Sequence, residues 1–156
     1  MQWKRFIELV AALNTHEVDY IVIGAIALGL HGHPRGTRDV DLFVRPEPEN
    51  VERLRAAMRS VWDDPSIDEI TAEDLCGDYP AIAYGPPDDS LPMDIVTRLG
   101  DAFGFEDLES QSHDIDGLRI NVATPSTLYR MKKDTIRPQD AADAAWLKRV
   151  FQIEED

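Results

Sequence analysis

The stretch from Asp19 to Val44, DYIVIGAIALGLHGHPRGTRDVDLFV, constrains this chain more than any other. It reads as a strand, a glycine turn, a short helix, a loop and a second strand carrying Asp39-Val40-Asp41. Side chains alternate faces along a strand, so Asp39 and Asp41 are expected on one face and Val40 and Leu42 on the other. Two like charges side by side against a core are costly unless a cation sits between them. An oxygen-only ligand set of this kind suits Mg²⁺. Upstream, Gly24 ends an Ile/Val run and opens a helix at Ala25, whose backbone N–H groups are placed to hold a phosphate. A phosphate cradle followed by a pair of metal-binding acids points to transfer of a nucleotidyl group.

The same residues resemble the nucleotidyltransferase superfamily with the DNA polymerase beta type of fold. Its motif is a glycine followed by Gly or Ser, a spacer, and Asp-x-Asp on a strand. Gly24-Ala25 and Asp39-Val40-Asp41 occupy those places. The surrounding HGxxRxTxDxDLF, from His31 to Phe43, is most similar to the small bacterial AbiEii-type group. LPMDIV at Leu91–Val96 resembles the strand that bears the family's third acid, which makes Asp94 the expected third ligand. TPSTLYRMKKDTIRPQDAADAAWL at Thr124–Leu147 resembles its C-terminal helices. The chain departs from the pattern at Ala25, where the lost hydroxyl leaves only a backbone amide for a phosphate. The resemblance implies an α+β fold with a mixed sheet flanked by helices. It also implies Mg²⁺-dependent transfer of an NMP group from an NTP to an acceptor, in a toxin–antitoxin or defence setting. RNA ends, proteins and small molecules are all acceptors within the superfamily, and nothing in the sequence selects among them.

The 156 residues suit one domain, 1–156, with C-terminal helices at about 125–151 and enough length to bury a core. A 43% apolar fraction is that of a globular chain. No segment is apolar for long enough to span a membrane. MQWKRFIELVAALN reads as an amphipathic helix rather than a signal peptide. Cys76 is the only cysteine, which excludes an intrachain disulfide or a cysteine zinc site. A cytoplasmic location is the resulting expectation.

Net charge is −14, unevenly spread. Residues 63–116 carry sixteen acids and one base, Arg98, whereas the flanking segments are near balance. Such a middle repels a long duplex within about a Debye length, roughly 8 Å. It is either a solvated face or a docking surface for a basic protein partner. Bases gather instead around the motif: Arg35, Arg38, Arg130, Lys132, Lys133 and Arg137. A basic pocket on an acidic body suits a nucleotide.

Along the chain, helices are expected at Trp3–Leu13, Ala25–His31, Glu47–Trp62, Phe103–Glu109, Pro125–Lys133 and Pro138–Phe151. Strands are expected at Tyr20–Ile23, Arg38–Val44, Ala81–Tyr84 and Leu91–Val96, with a hairpin around Asp116-Gly117. Thr124 is the expected N-cap, with Pro125 at the first helical position. Gly29, inside a helix, suggests close packing.

In a two-metal scheme Asp39 and Asp41 hold the metal that carries the triphosphate, and Asp94 completes the one that activates the acceptor. Surface exposure is the alternative for Asp39 and Asp41, and pairing with an arginine the alternative for Asp94. Lys132 and Arg137 are expected on the phosphates, or else as solvated bases at a helix end. Arg38, beside the acids, either contacts the nucleotide or pairs with them. Asp140 and Asp143 are read as orienting these bases. His31 and His33 are read as loop residues, and Trp62 and Trp146 as core. A catalytically silent nucleotide- or partner-binding domain of the same fold is the competing reading.

Overall fold

The computed structural model describes residues 3–33 and 36–154. Arg35 lies outside the described residues. The chain opens with α1 (Trp3–Thr15), β1 (Tyr20–Ile23), α2 (Gly24–Leu30), β2 (Val40–Val44) and α3 (Pro48–Val61). After a 3-10 turn come α4 (Ala72–Leu75), β3 (Ala81–Tyr84), β4 (Met93–Val96), and the short pair β5 (Arg98–Leu99) and β6 (Phe103–Gly104). A hairpin of β7 (Ser110–Ile115) and β8 (Leu118–Ala123) leads to α5 (Pro125–Lys132) and α6 (Pro138–Phe151).

Six strands form one mixed sheet in the order β3-β4-β2-β1-β8-β7. β2 runs antiparallel to β1 but parallel to β4. β1 and β8 are also parallel. The expected α+β class with a mixed sheet flanked by helices is the observed one. Alternation along β2 explains its burial: Val40, Leu42 and Val44 are fully buried on one face, while Asp41 is only partly covered on the other. α1 turns Phe6, Leu9, Val10 and Leu13 inward and packs against α3, whose Val51, Leu54 and Met58 are also buried. Asn50 is the buried polar residue of α3; it donates from Nδ2 to the Asp19 and Arg45 carbonyls and accepts from the Asp19 N–H.

Several sequence expectations need correction. β2 begins at Val40 rather than Arg38, so Arg38 and Asp39 precede the strand. Thr37 Oγ1 bonds the Asp39 carbonyl at 3.1 Å and receives its N–H at 3.3 Å, a local turn that competes with the ladder. Phe103–Glu109 is not a helix; Phe103 and Gly104 pair with β5, and only Phe105–Asp107 makes a 3-10 turn. The polar stretch after Trp62 holds a 3-10 turn at Pro65–Glu69, capped by Asp64, and α4, capped by Thr71. Gly29 is exposed with no neighbour where a Cβ would stand, so close packing does not account for it. In the turn between β3 and β4, Asp88 accepts from Arg5 at 2.9 Å and from Ser90 Oγ at 2.6 Å.

Candidate active site

The site begins with a row across the sheet. Ile23, Asp41, Asp94 and Ala83 oppose one another in turn on β1, β2, β4 and β3. Directly paired residues point to the same face, so both carboxylates stand on one side of the sheet. A cavity of about 610 Å³ lies over this row. Its floor includes Ile23, Gly24, Asp41, Asp94, Val96, Ala81 and Ala83. Its far wall is the corner between α5 and α6, through Leu128, Met131, Lys132, Thr135, Arg137 and Asp140.

Local sequence explains that corner. Thr124 Oγ1 accepts the Thr127 N–H at 3.1 Å and Pro125 occupies the first turn, which starts α5 at Pro125. Thr127 Oγ1 donates to the Glu109 carbonyl at 3.0 Å, anchoring the helix to the β7 side of the sheet. α5 ends at Lys132, and Arg137 is extended before Pro138 starts α6. Both bases therefore come from helix ends that meet over the acids.

Burial raises the Asp41 pKa from 3.8 to about 7, helped by the charge of Asp94, a hydrogen bond shared with Asp94, and the charge of Asp39; Lys132 acts in the opposite direction. Two carboxyl groups facing each other across a strand pair retain a proton or take up a cation. Gly24 makes this arrangement sterically feasible. Its φ is +72°, and a Cβ there would run into Asp41 Oδ2. No L side chain fits at that point without moving the acid.

Lys132 is held as well. Its Nζ lies 3.1 Å from Asp140 Oδ1 and 3.1 Å from Asp143 Oδ2. Asp143 is fully buried and also accepts from Gln139 Nε2 at 3.1 Å. Thr135 Oγ1 donates to Asp140 Oδ2 at 2.8 Å. Burial is the largest single influence on Asp140 and raises its pKa, but hydrogen bonds from Thr135 and Lys132 and the charges of Lys132 and Arg137 together outweigh it and leave the pKa lowered. Asp140 and Asp143 thus orient the lysine, as read from their helical spacing.

The structure brings together Gly24, Asp41, Asp94, Lys132 and Arg137 on one cavity. It does not bring Ala25, Arg38 or Asp39 onto that wall. Ala25 has turned into α2, and Arg38 and Asp39 are exposed before β2. The expectation that Asp39 and Asp41 share one strand fails because the turn at Thr37 delays the ladder. Asp39 still acts on Asp41 through its charge. Among the described residues no group of three or more His, Cys, Asp or Glu side chains is close enough to hold a metal ion.

The two histidines are more than loop residues. His31 Nε2 lies 2.8 Å from the Ala123 carbonyl. His33 stacks on Trp146 at 4.3 Å between ring centroids, with Nε2 3.5 Å from Asp143 Oδ1. His31 thus ties the end of α2 to β8, and His33 ties the loop before β2 to α6. Sequence reading also passed over Thr135 and the alanines of β3, although the period of two in Ala81-Ile82-Ala83 does place both alanines on one face.

A family model described as "Nucleotidyl transferase AbiEii toxin, Type IV TA system" matches residues 8–156. The chain belongs to the AbiEii nucleotidyltransferase family. The AbiEii match thus spans the acid pair, Gly24 and the α5–α6 corner. Among solved structures, an antigenic nucleotidyltransferase-like protein from Paracoccidioides brasiliensis superposes with a TM-score of 0.57 at 13% identity, covering 94% of this chain and 75% of that one. A protein of Thermotoga maritima proposed to be a nucleotidyltransferase superposes with a TM-score of 0.50 at 14% identity, covering 97% and 96% of the two chains. At these identities the likeness is one of fold. No curated protein matches the chain. The AbiEii fold and family were both legible in the motif at Gly24–Phe43. No helix among the described residues is long and apolar enough to cross a membrane.

Proposed function

We propose that this AbiEii-family nucleotidyltransferase moves an NMP group from an NTP to an acceptor hydroxyl with Mg²⁺. The observation that carries the reading is the in-register pair Asp41–Asp94 facing Lys132 and Arg137 across one cavity. The donor set fits the metal: two adjacent carboxylates, one with a strongly raised pKa, are short of positive charge, and oxygen ligands suit Mg²⁺. Asp41 and Asp94 would hold it, with Asp39 adding charge nearby. When bound, the ion neutralises developing charge on the triphosphate and lowers the pKa of the attacking hydroxyl.

The chain's own residues do the rest. Lys132 and Arg137 bind the β- and γ-phosphates, and Gly24, by lacking a side chain, leaves room for the Asp41 carboxylate on the same cavity. The acceptor oxygen bonds to the α-phosphorus as the bridging bond to pyrophosphate breaks. Its proton passes to an Asp94 carboxylate oxygen, on the more open member of the pair. The family's place in a type IV toxin–antitoxin system makes a cytoplasmic toxin with a cognate antitoxin the matching cellular role.

A silent binding domain is the second reading. It is favoured by one observation: Asp140 and Asp143 already satisfy the Lys132 ammonium. Incubation of the protein with α-labelled NTPs, Mg²⁺ and cell extract separates the two. Label transferred to a macromolecule or small molecule supports transfer. NTP binding with no labelled product supports the silent domain.

A further inference from the structure

We infer that the β5–β6 hairpin is a further substrate-binding element of this site, which folds over a bound nucleotide and lays Leu99 on its base; this rests on the nucleotide-binding part of the reading above. β5 and β6 stand apart from the six-stranded sheet as a pair of two-residue strands, with Arg98 opposite Gly104 and Leu99 opposite Phe103. Side chains alternate faces along a strand, and the two faces of β5 meet different surroundings. Leu99 lines the cavity over Asp41 and Asp94, whereas Arg98 lines a separate cleft beside Leu75, Cys76 and Pro80. Leu99 is 37% exposed, and among the described residues it is the one large exposed hydrophobic that lines the cavity.

Both ends of the hairpin are fixed. Thr97 is buried; its N–H donates to the Pro80 carbonyl at 2.8 Å and its hydroxyl to the Leu75 carbonyl. At the other end the Gly104 N–H donates to Asp107 Oδ2 at 2.8 Å. Phe105 then packs on Phe43, with the Arg45 guanidinium 4.5 Å from its ring centroid, and Arg45 pairs with Glu106. Between these anchors residues 98–102 are exposed, and Gly100 turns the tip with a φ of +58°. A tip with so few buried contacts moves without disturbing the sheet.

The floor beneath Leu99 decides which part of the nucleotide it meets. Ala81 and Val96 oppose each other two residues from the Ala83–Asp94 row, and both line the cavity. That places them about 7 Å from the acids along the strands, within the span of a ribose. With the α-phosphate at the acids and the outer phosphates at Lys132 and Arg137, the base lies over Ala81 and Val96. Its flat face stacks without needing a polar partner, and Leu99 gains by covering it. Charge agrees: Asp101 at the exposed tip is repelled by a triphosphate, so the hairpin meets the uncharged end of the ligand.

Arg98 is the only trypsin site between Arg59 and Arg119, so a cut after Arg98 reports on the hairpin alone. The full chain is digested with Mg²⁺ and either a non-hydrolysable NTP analogue or inorganic tripolyphosphate, with binding of each followed by calorimetry. The analogue should slow the cut about tenfold, and tripolyphosphate should not. Leu99→Ala should weaken analogue binding about tenfold and remove the protection, with tripolyphosphate affinity unchanged. Leu99→Met should keep both. If tripolyphosphate does not bind, the two Leu99 variants decide the matter. Free protein that resists trypsin at Arg98, a bound analogue that leaves the cut unchanged, equal protection by tripolyphosphate, or wild-type analogue affinity in Leu99→Ala each overturns the inference and leaves nucleotidyl transfer standing. Protection by the analogue with no transfer of label from an α-labelled NTP upholds the hairpin's role and moves the parent reading to the silent domain. No nucleotide binding at all overturns both.

Discussion

Asp41 and Asp94 stand directly opposite each other on neighbouring parallel strands, and each carboxyl group lines the same cavity. They are far apart in sequence, and only the β2–β4 pairing brings them together. Their closeness is unfavourable in the empty site and becomes useful once a cation lies between them.

Removing one charge should therefore separate function from stability. Asp41→Asn is expected to abolish transfer by several orders of magnitude while raising the thermal midpoint measured in chelator. Wild-type protein should gain more stability than the variant from Mg²⁺ plus NTP, by the linkage of binding to folding. Thermal shift assays with and without both ligands check this; equal shifts in the two proteins would move the assignment to a silent domain.

The pH dependence has a definite sign. Folding raises the Asp41 pKa from 3.8 to about 7, so the folded state binds this proton more tightly than the unfolded state. Its contribution to stability is fully present below pH 4 and is lost as pH rises towards 7, at no more than about 1.4 kcal/mol per pH unit. Mg²⁺ displaces the proton, so Mg²⁺ affinity should rise over the same interval. Urea melts of wild type and Asp41→Asn in chelator, from pH 4 to 8, should show the difference between the two proteins changing across that window. A constant difference would mean that Asp41 titrates as an ordinary carboxylate.

Gly24→Ala should damage both fold and site. The positive φ costs an L residue about 1–2 kcal/mol, and the new methyl collides with the Asp41 carboxylate. Denaturant titration should show at least that loss, with Mg²⁺ binding weakened in the folded fraction. A variant with unchanged Mg²⁺ affinity would show that Asp41 is free to move aside.

Lys132→Met removes the cation from a fully buried Asp143. Breaking a buried pair costs about 3–5 kcal/mol; Gln139 remains bonded to Asp143, which favours the lower end. Adding Asp143→Asn should restore much of the stability without restoring NTP binding. Recovery of NTP binding in the double variant would show that Lys132 serves only the fold.

The local pattern of this chain was readable without a structure. β1 and α6 have the bounds that periodicity and the Pro138 start predict, and Thr124 caps α5 as its position before Pro125 requires. These features depend on neighbours a few residues away, which sequence records directly. The family motif named Gly24, Asp39 and Asp41, and the resemblance added Asp94; the fold puts Gly24, Asp41 and Asp94 on one cavity and leaves Asp39 off its wall. What sequence could not decide was set by contacts distant along the chain. Asp39 left the strand because Thr37 captured its backbone. Lys132 was claimed by two aspartates across a helix corner. Ala81 and Ala83 became part of a cavity floor only through the register of β3 with β4. Strand order and register depend on which long-range pairings bury the most apolar surface together, and that competition is resolved only in the folded molecule.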